Sequence, residues 1–219
     1  MHYSRAEFEK HRAEGRLTIS LIGMSGMGKS WRARHLAEIG FANMDCDALI
    51  AARIAEKLHV ADVRGLATWM GQPWEDGYAK REREYLDLES ETLAHVLGEI
   101  HGNTVIDTTG SVVYLPQPLQ ERMREKTLVV LLEANESMRS EMFERFLQDP
   151  KPIVWGHSFS QRAGESEQEA LARSYPELLA YRTEKYRALA DVVIPYDIAR
   201  DKSIRGQGFL QAIETHLVS

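Results

Sequence analysis

One cysteine, Cys46, stands among 219 residues, so no intrachain disulfide can form, and a reducing compartment is expected. No apolar run approaches the roughly 20 residues that span a bilayer. The first sixteen residues, MHYSRAEFEKHRAEGR, are charged and lack an apolar leader core, which predicts a cytoplasmic protein without a membrane anchor. Basic residues do not dominate: 27 Lys and Arg face 33 Asp and Glu, for a net charge of −6. That balance argues against general nucleic-acid binding, although a local basic pocket could still hold a nucleotide. The eight histidines show no H-E-x-x-H zinc spacing. Repeats and low-complexity tracts are also missing. What remains is an ordinary composition, 43% hydrophobic and 27% charged, in a length that suits one α/β domain. A monomer or weak dimer is expected.

Strands and helices alternate along the chain. Short apolar runs at Leu17–Ile22, Phe41–Met44, Thr104–Thr108, Thr127–Leu132 and Asp191–Ile194 read as buried parallel strands. Helical spacing covers Ser4–Glu14, Ser30–Ile39, Asp47–Leu58, Gly77–Ile100, Pro118–Lys126, Glu136–Gln148, Glu167–Leu189 and about Ser203–Leu217. This order predicts a five-stranded parallel sheet wrapped by helices on both faces, with ligands at the carboxyl ends of the strands. Two segments break the rhythm. Residues 60–76 read as an irregular insert with Trp69 and Trp74, and 149–165 as a Pro- and Gly-rich loop long enough for a lid.

The strongest motif is GMSGMGKS, Gly23 to Ser30, a complete G-x-x-x-x-G-K-S loop between a strand and a helix. Its glycines let the backbone turn so that the N–H groups of Gly23, Met24, Ser25, Gly26, Met27 and Gly28 can surround phosphate oxygens. The helix that comes after it adds the positive end of its dipole. Lys29 suits the β/γ-phosphates, and the Ser30 hydroxyl suits Mg²⁺. Strand two runs into Asp45-Cys46-Asp47. One carboxylate can hold Mg²⁺ through water and the other can orient a hydroxyl, while Asp47 also fits a helix N-cap. Strand three ends VIDTTG, where Asp107 suits a second metal-associated carboxylate and Thr108, Thr109 and Gly110 suit either ligand contact or a packing turn. The lid carries Lys151, His157 and Arg162, cations that could neutralise a transferring phosphoryl group. Arg182, just before the last strand, either reaches the same crevice or lies on a solvated helix face. Cys46 reads as a small buried filler.

From about Leu17 to Ile194 the chain resembles the shikimate kinase family, within the nucleoside-monophosphate-kinase-like P-loop kinases. GMSGMGKS is similar to that family's phosphate loop, and Asp45 and Asp47 match its D-x-D. The resemblance implies a three-layer α/β/α sandwich with a lid, and it implies that Asp47 contacts the reacting hydroxyl while Asp45 helps place the metal. KPIV (Lys151 to Val154) is similar to the family's R-P-L-L lid string. YRTEKYRALADVVI maps Arg182 onto a substrate-carboxylate arginine. Arg145 is similar in position to the arginine that packs on adenine. The departures lie on the acceptor side. Thr108-Thr109-Gly110-Ser111 stands where the family has three consecutive glycines. The family's F-R-x-x-E string, which grips the substrate, is matched by Tyr78, Ala79 and Glu82, or in a shifted reading by Arg81 and Glu84. The insert has no family counterpart.

These readings together predict an ATP- and Mg²⁺-dependent kinase that phosphorylates a hydroxyl of a small metabolite, shikimate or a related hydroxylated acid. A nucleoside or nucleotide acceptor stacked on Trp69 or Trp74 is one alternative. A P-loop ATPase or switch is another, although the N-K-x-D string of GTPases does not occur.

Overall fold

The computed structural model describes residues 3–58, 63–148 and 153–217. Helix α1 (Arg5–Ala13) opens on a capping box. The Ser4 hydroxyl accepts from the Glu7 N–H, and the Glu7 carboxylate accepts from the Ser4 N–H, so two otherwise orphaned donors are satisfied. Strand β1 (Thr18–Ile22) is buried along its whole length. It leads through the phosphate loop into α2 (Lys29–Ala37) and then to β2 (Ala42–Asp45) and α3 (Cys46–Leu58).

The insert read as irregular contains a helix, α4 (Val63–Met70). Val63, Leu66 and Met70 repeat at helical spacing, and Leu66 and Met70 are buried. Gly65 and the neighbouring Gly and Pro residues hide that period in the sequence. Gly71 ends the helix with a left-handed backbone, φ 72°.

Helix α5 (Tyr78–Val96) comes next, then β3 (Thr104–Asp107), a single 3₁₀ turn at Val112–Tyr114, α6 (Gln117–Lys126) and β4 (Leu128–Leu132). The chain continues through α7 (Glu136–Gln148), α8 (Glu167–Leu189), β5 (Val192–Ile194), α9 (Tyr196–Arg200) and α10 (Gly206–Thr215). Helix α8 repeats the capping box, with Ser166 and Glu169.

The five strands form one parallel sheet in the order β2-β3-β1-β4-β5. Central β1 and β4 carry β-branched and leucine side chains buried on both faces, as a parallel sheet covered by helices requires. Helix α2 packs on β1, β2 and β3, α3 packs on β3, and α6 and α8 pack on β4. No described helix is long and apolar enough to cross a membrane.

Strand register brings the site carboxylates level with the phosphate loop. Leu21 pairs with Asp107, and Asp45 pairs with the same Asp107. The carboxyl ends of β1, β2 and β3 therefore finish side by side.

Helix α10 sits tightly on α2. A Cβ added at Gly206 would collide with the His35 carbonyl oxygen and press on Ile39. Gly206→Ala should therefore cost about 1–3 kcal/mol, the usual penalty of overpacking, measured by urea denaturation; an unchanged midpoint would contradict this packing.

Candidate active site

The phosphate loop is shaped by two glycines. Gly23 has φ 138°, and a Cβ there would lie 2.7 Å from the Leu132 carbonyl oxygen of β4. Gly28 is the N-cap of α2 with φ 93°, a left-handed backbone that disfavours a side chain. No side chain caps α2, so the first-turn N–H groups face the loop. The Lys29 ammonium donates to the Gly23 and Met24 carbonyls at 3.0 and 3.4 Å, which holds it folded back over the loop.

Two arginines brace the loop from behind. Arg32, fully buried on α2, donates to the carbonyls of Ile198, Ala199, Asp201 and Ile204. Burial pulls its guanidinium down to about 10. The segment it fixes carries Arg200, which donates to the Gly26 carbonyl at 2.8 Å. Neither residue had a signal in the sequence, where an arginine inside a helix reads as solvated.

Asp107 lies beneath the loop, buried at the end of β3. Burial pushes its carboxyl up to about 6, against the pull of Lys29 and a hydrogen bond with the Ser30 hydroxyl; Asp45 and Asp47 push the same way as burial. The Asp45 carboxylate accepts from the Ala48 N–H at 2.9 Å, so Asp45 caps α3. The capping role considered for Asp47 is thus taken by Asp45, and Asp47 is exposed in the first turn of α3.

A cavity of about 430 Å³ opens from the loop. Met24, Ser25 and Gly26 form one end, and Asp47 and Ile50 of α3, Leu66 of α4 and Tyr85 of α5 form a wall. Gly110, Ser111 and Arg182 form another part, and Arg145 and Phe146 of α7 also line it. Arg182 is buried on α8, donates to the Val154 carbonyl at 2.8 Å and lies over the Tyr114 ring. Arg145 is exposed and pairs with Glu141 at 3.0 Å.

Several expected residues stand elsewhere. Arg81 turns to the insert, donating to the Met70 carbonyl at 2.8 Å and the Asp76 carbonyl at 3.2 Å, and it is not on the cavity wall. Glu82 holds the lid: its carboxylate accepts from the Tyr78 hydroxyl and from the Trp155 and Gly156 N–H groups at 2.7, 2.7 and 3.0 Å. His157 and Arg162 are exposed, the former edge-on to the Tyr181 ring. Lys151 lies outside the described residues. Trp69 and Trp74 pack against the core, with Trp74 beside Phe159. Cys46 is buried, and burial raises its thiol well above the ordinary value. The Thr108 and Thr109 hydroxyls are occupied inside the protein, donating to the Leu21 carbonyl and the Glu89 carboxylate respectively.

The residues of α5 that meet the cavity were missed at the motif level. Tyr85 lies on the wall, and buried Glu89, one helical turn later, accepts from Thr109 and Ser111 behind it. The spacing of F-R-x-x-E is met at Tyr85, Leu86 and Glu89, with leucine at the arginine position. An aromatic and a glutamate four apart was the available signal.

A phosphate loop at the end of the central strand, flanked by aligned carboxylates and opening on a cavity, defines an α/β protein of the P-loop kinase class. No protein-family model matches the chain. A shikimate kinase of Paracidovorax citrulli (strain AAC00-1) is 31% identical over 157 residues, which is 70% of this chain and 74% of that protein. The chain belongs to the shikimate kinase family, a family of small-molecule kinases. The fold is similar to that of shikimate kinase from Acinetobacter baumannii in complex with shikimate, with a TM-score of 0.62 and 20% identity over 97% of this chain and 99% of that one. It is also similar to shikimate kinase from Bacteroides thetaiotaomicron, with a TM-score of 0.58 and 19% identity over 91% and 97%.

The raised Asp107 carboxyl fixes a sign. A carboxyl at about 6 in the folded chain and 3.8 ordinarily contributes stability below 3.8 that is lost as pH rises through 6. Asp107→Asn, compared with wild type in EDTA by urea denaturation, should gain stability progressively between about pH 4 and pH 6 and hold that gain at higher pH. A difference independent of pH would contradict this burial.

Proposed function

We propose that the protein is an ATP-dependent phosphotransferase acting on a hydroxyl of a small hydroxylated acid, shikimate or a close relative. The observation that carries this reading is one cavity whose wall joins the phosphate loop to Asp47 and Arg182. Bound MgATP supplies the phosphoryl group, and the residues present fit it. The loop amides and Lys29 match a polyphosphate. The Ser30 hydroxyl in the first turn of α2 and the register-paired carboxylates of Asp45 and Asp107 would hold Mg²⁺, the carboxylates acting through water.

Asp47 lines the same cavity as the loop, where it accepts the proton of the acceptor hydroxyl as the new O–P bond forms, the bond from the γ-phosphorus to ADP breaks and ADP leaves. Arg182 meets an anionic group on the acceptor. Arg145 lines the cavity for the base, and Lys151 with the lid segment 149–165 covers the transferring group, excluding water. The insert 60–76 and the lid belong to one kinase domain spanning 1–219. Trp69 and Trp74 are half-buried, pack against the core and do not line the cavity, which favours an acceptor other than a nucleoside stacked on them.

Lys29→Ala should lower turnover by at least about a thousandfold, the scale of removing a charge that stabilises the transferring phosphoryl group. Asp47→Asn should lower transfer by about a hundredfold or more while leaving ATP affinity unchanged. Coupled ADP-release assays over hydroxylated acids, polyols and nucleosides, with calorimetry for ATP, test both. An Asp47→Asn protein with normal turnover would remove Asp47 from its role, and turnover confined to nucleosides would replace the acceptor class.

A further inference from the structure

Helix α5 carries a buried acid that the proposed reaction does not use. Glu89 is buried on the face of α5 that it shares with Tyr85, four residues earlier. The Thr109 hydroxyl donates to one of its carboxylate oxygens, and the Ser111 hydroxyl donates to the other at 2.6 Å. The Ser111 N–H also donates to the Thr109 hydroxyl oxygen at 3.2 Å. The turn from Thr109 to Ser111 is thus tied at both ends to one carboxylate. Between the ties lies Gly110, whose carbonyl accepts from the Tyr186 hydroxyl and which faces the Arg182 guanidinium and the Ser25 N–H. Gly110, Ser111 and Tyr85 are all on the cavity wall.

We propose that Glu89 is a positioning residue of the acceptor site, its carboxylate holding the Thr109–Ser111 turn in the shape that presents Gly110 and Ser111 to the acceptor. The acceptor role rests on the kinase function already proposed; the clamp itself does not. Where three glycines would need no such tie, this turn has two hydroxyls aimed at one acid.

The clamp depends on charge. Ionised, Glu89 only accepts, and both hydroxyls point at it. Protonated, it becomes a donor, and one hydroxyl must turn round to accept, which loosens the turn. Burial pushes Glu89 up to about 7, with the Ser111 and Thr109 hydrogen bonds pulling it back, so the exchange falls near neutral pH. The charged and titratable groups facing it are Cys46 and Asp47 from α3, Tyr85 on its own helix, and Arg182 and Tyr186 from α8.

The test is amide NMR on the full chain between about pH 5 and pH 9, across the window where Glu89 ionises. The Thr109, Gly110 and Ser111 peaks should move together with a midpoint near 7. In Glu89→Gln the movement should vanish. In Ser111→Ala, which removes one donor and leaves the acid, the midpoint should rise, and this arm stands if Glu89→Gln does not fold. Peaks that stay still in the wild type, or still titrate in Glu89→Gln, overturn the proposal. A second arm adds shikimate as probe: its half-saturating concentration should rise about tenfold in Glu89→Gln, roughly the worth of one hydrogen bond to a charged group. Equal values in the two proteins overturn the acceptor role. Shikimate that shifts no peak in the wild type strikes the proposed acceptor class, while the pH arm still decides the clamp.

Discussion

Asp45 and Asp107 are register partners at the ends of neighbouring strands, and the Lys29 ammonium works against the cost of burying the second of them. The rest of the site is arranged around this balance. Parallel pairing in the order β2-β3-β1 brings the strand ends level, so the phosphate loop cannot form without the carboxylates arriving beside it. Lys29, folded back on the carbonyls of Gly23 and Met24, supplies the compensating charge from inside the same loop. The loop in turn holds its shape because Gly23 lies hard against β4 and because Arg32 and Arg200 anchor it to the segment after β5. Sheet register, loop conformation and site electrostatics are consequences of one another.

The same logic extends to the acceptor side, where α5 acts as a spine. Adjacent Arg81 and Glu82 bond to the insert and to the Trp155–Gly156 segment, and Glu89, two turns later, bonds to the strand-three turn. Each makes its bonds mainly to backbone groups or short hydroxyls, so the helix fixes the frame of the cavity while Tyr85 supplies part of its surface. Among the described residues Arg182 alone contributes a buried positive charge to the wall, and its guanidinium is already bonded to the Val154 carbonyl. The Val154 segment and the buried guanidinium of the cavity wall are therefore physically joined.

The sheet was legible from sequence because buried parallel strands are short, apolar and β-branched, and all five candidates fall within a residue or two of the observed strands. The phosphate loop was legible because glycine spacing, lysine and serine have few other uses in that context. The clustering of Asp45, Asp107 and Asp47 followed from placing them at strand ends. Helix α4 was not legible, since glycine and proline around it mask a period of only eight residues. Glu89 was hidden in a helix rich in charged residues, where burial leaves no mark on composition. The two placements of the family string, Ala79 with Glu82 and Arg81 with Glu84, precede the cavity-lining stretch from Tyr85 by one to two turns of the same helix, and a window read without the fold does not separate them. Arg32 was invisible because its partners are carbonyls far away in sequence, which no side-chain pattern encodes.

The central claim is that this loop grips the polyphosphate of a nucleotide. Isothermal titration calorimetry of the full chain with ATP, in magnesium, tests it most directly. The account predicts saturable one-to-one binding, with ADP binding at the same site and AMP, which lacks the β/γ-phosphates, binding far more weakly. Heats that show no uptake of ATP, or affinity for AMP equal to that for ATP, would contradict it.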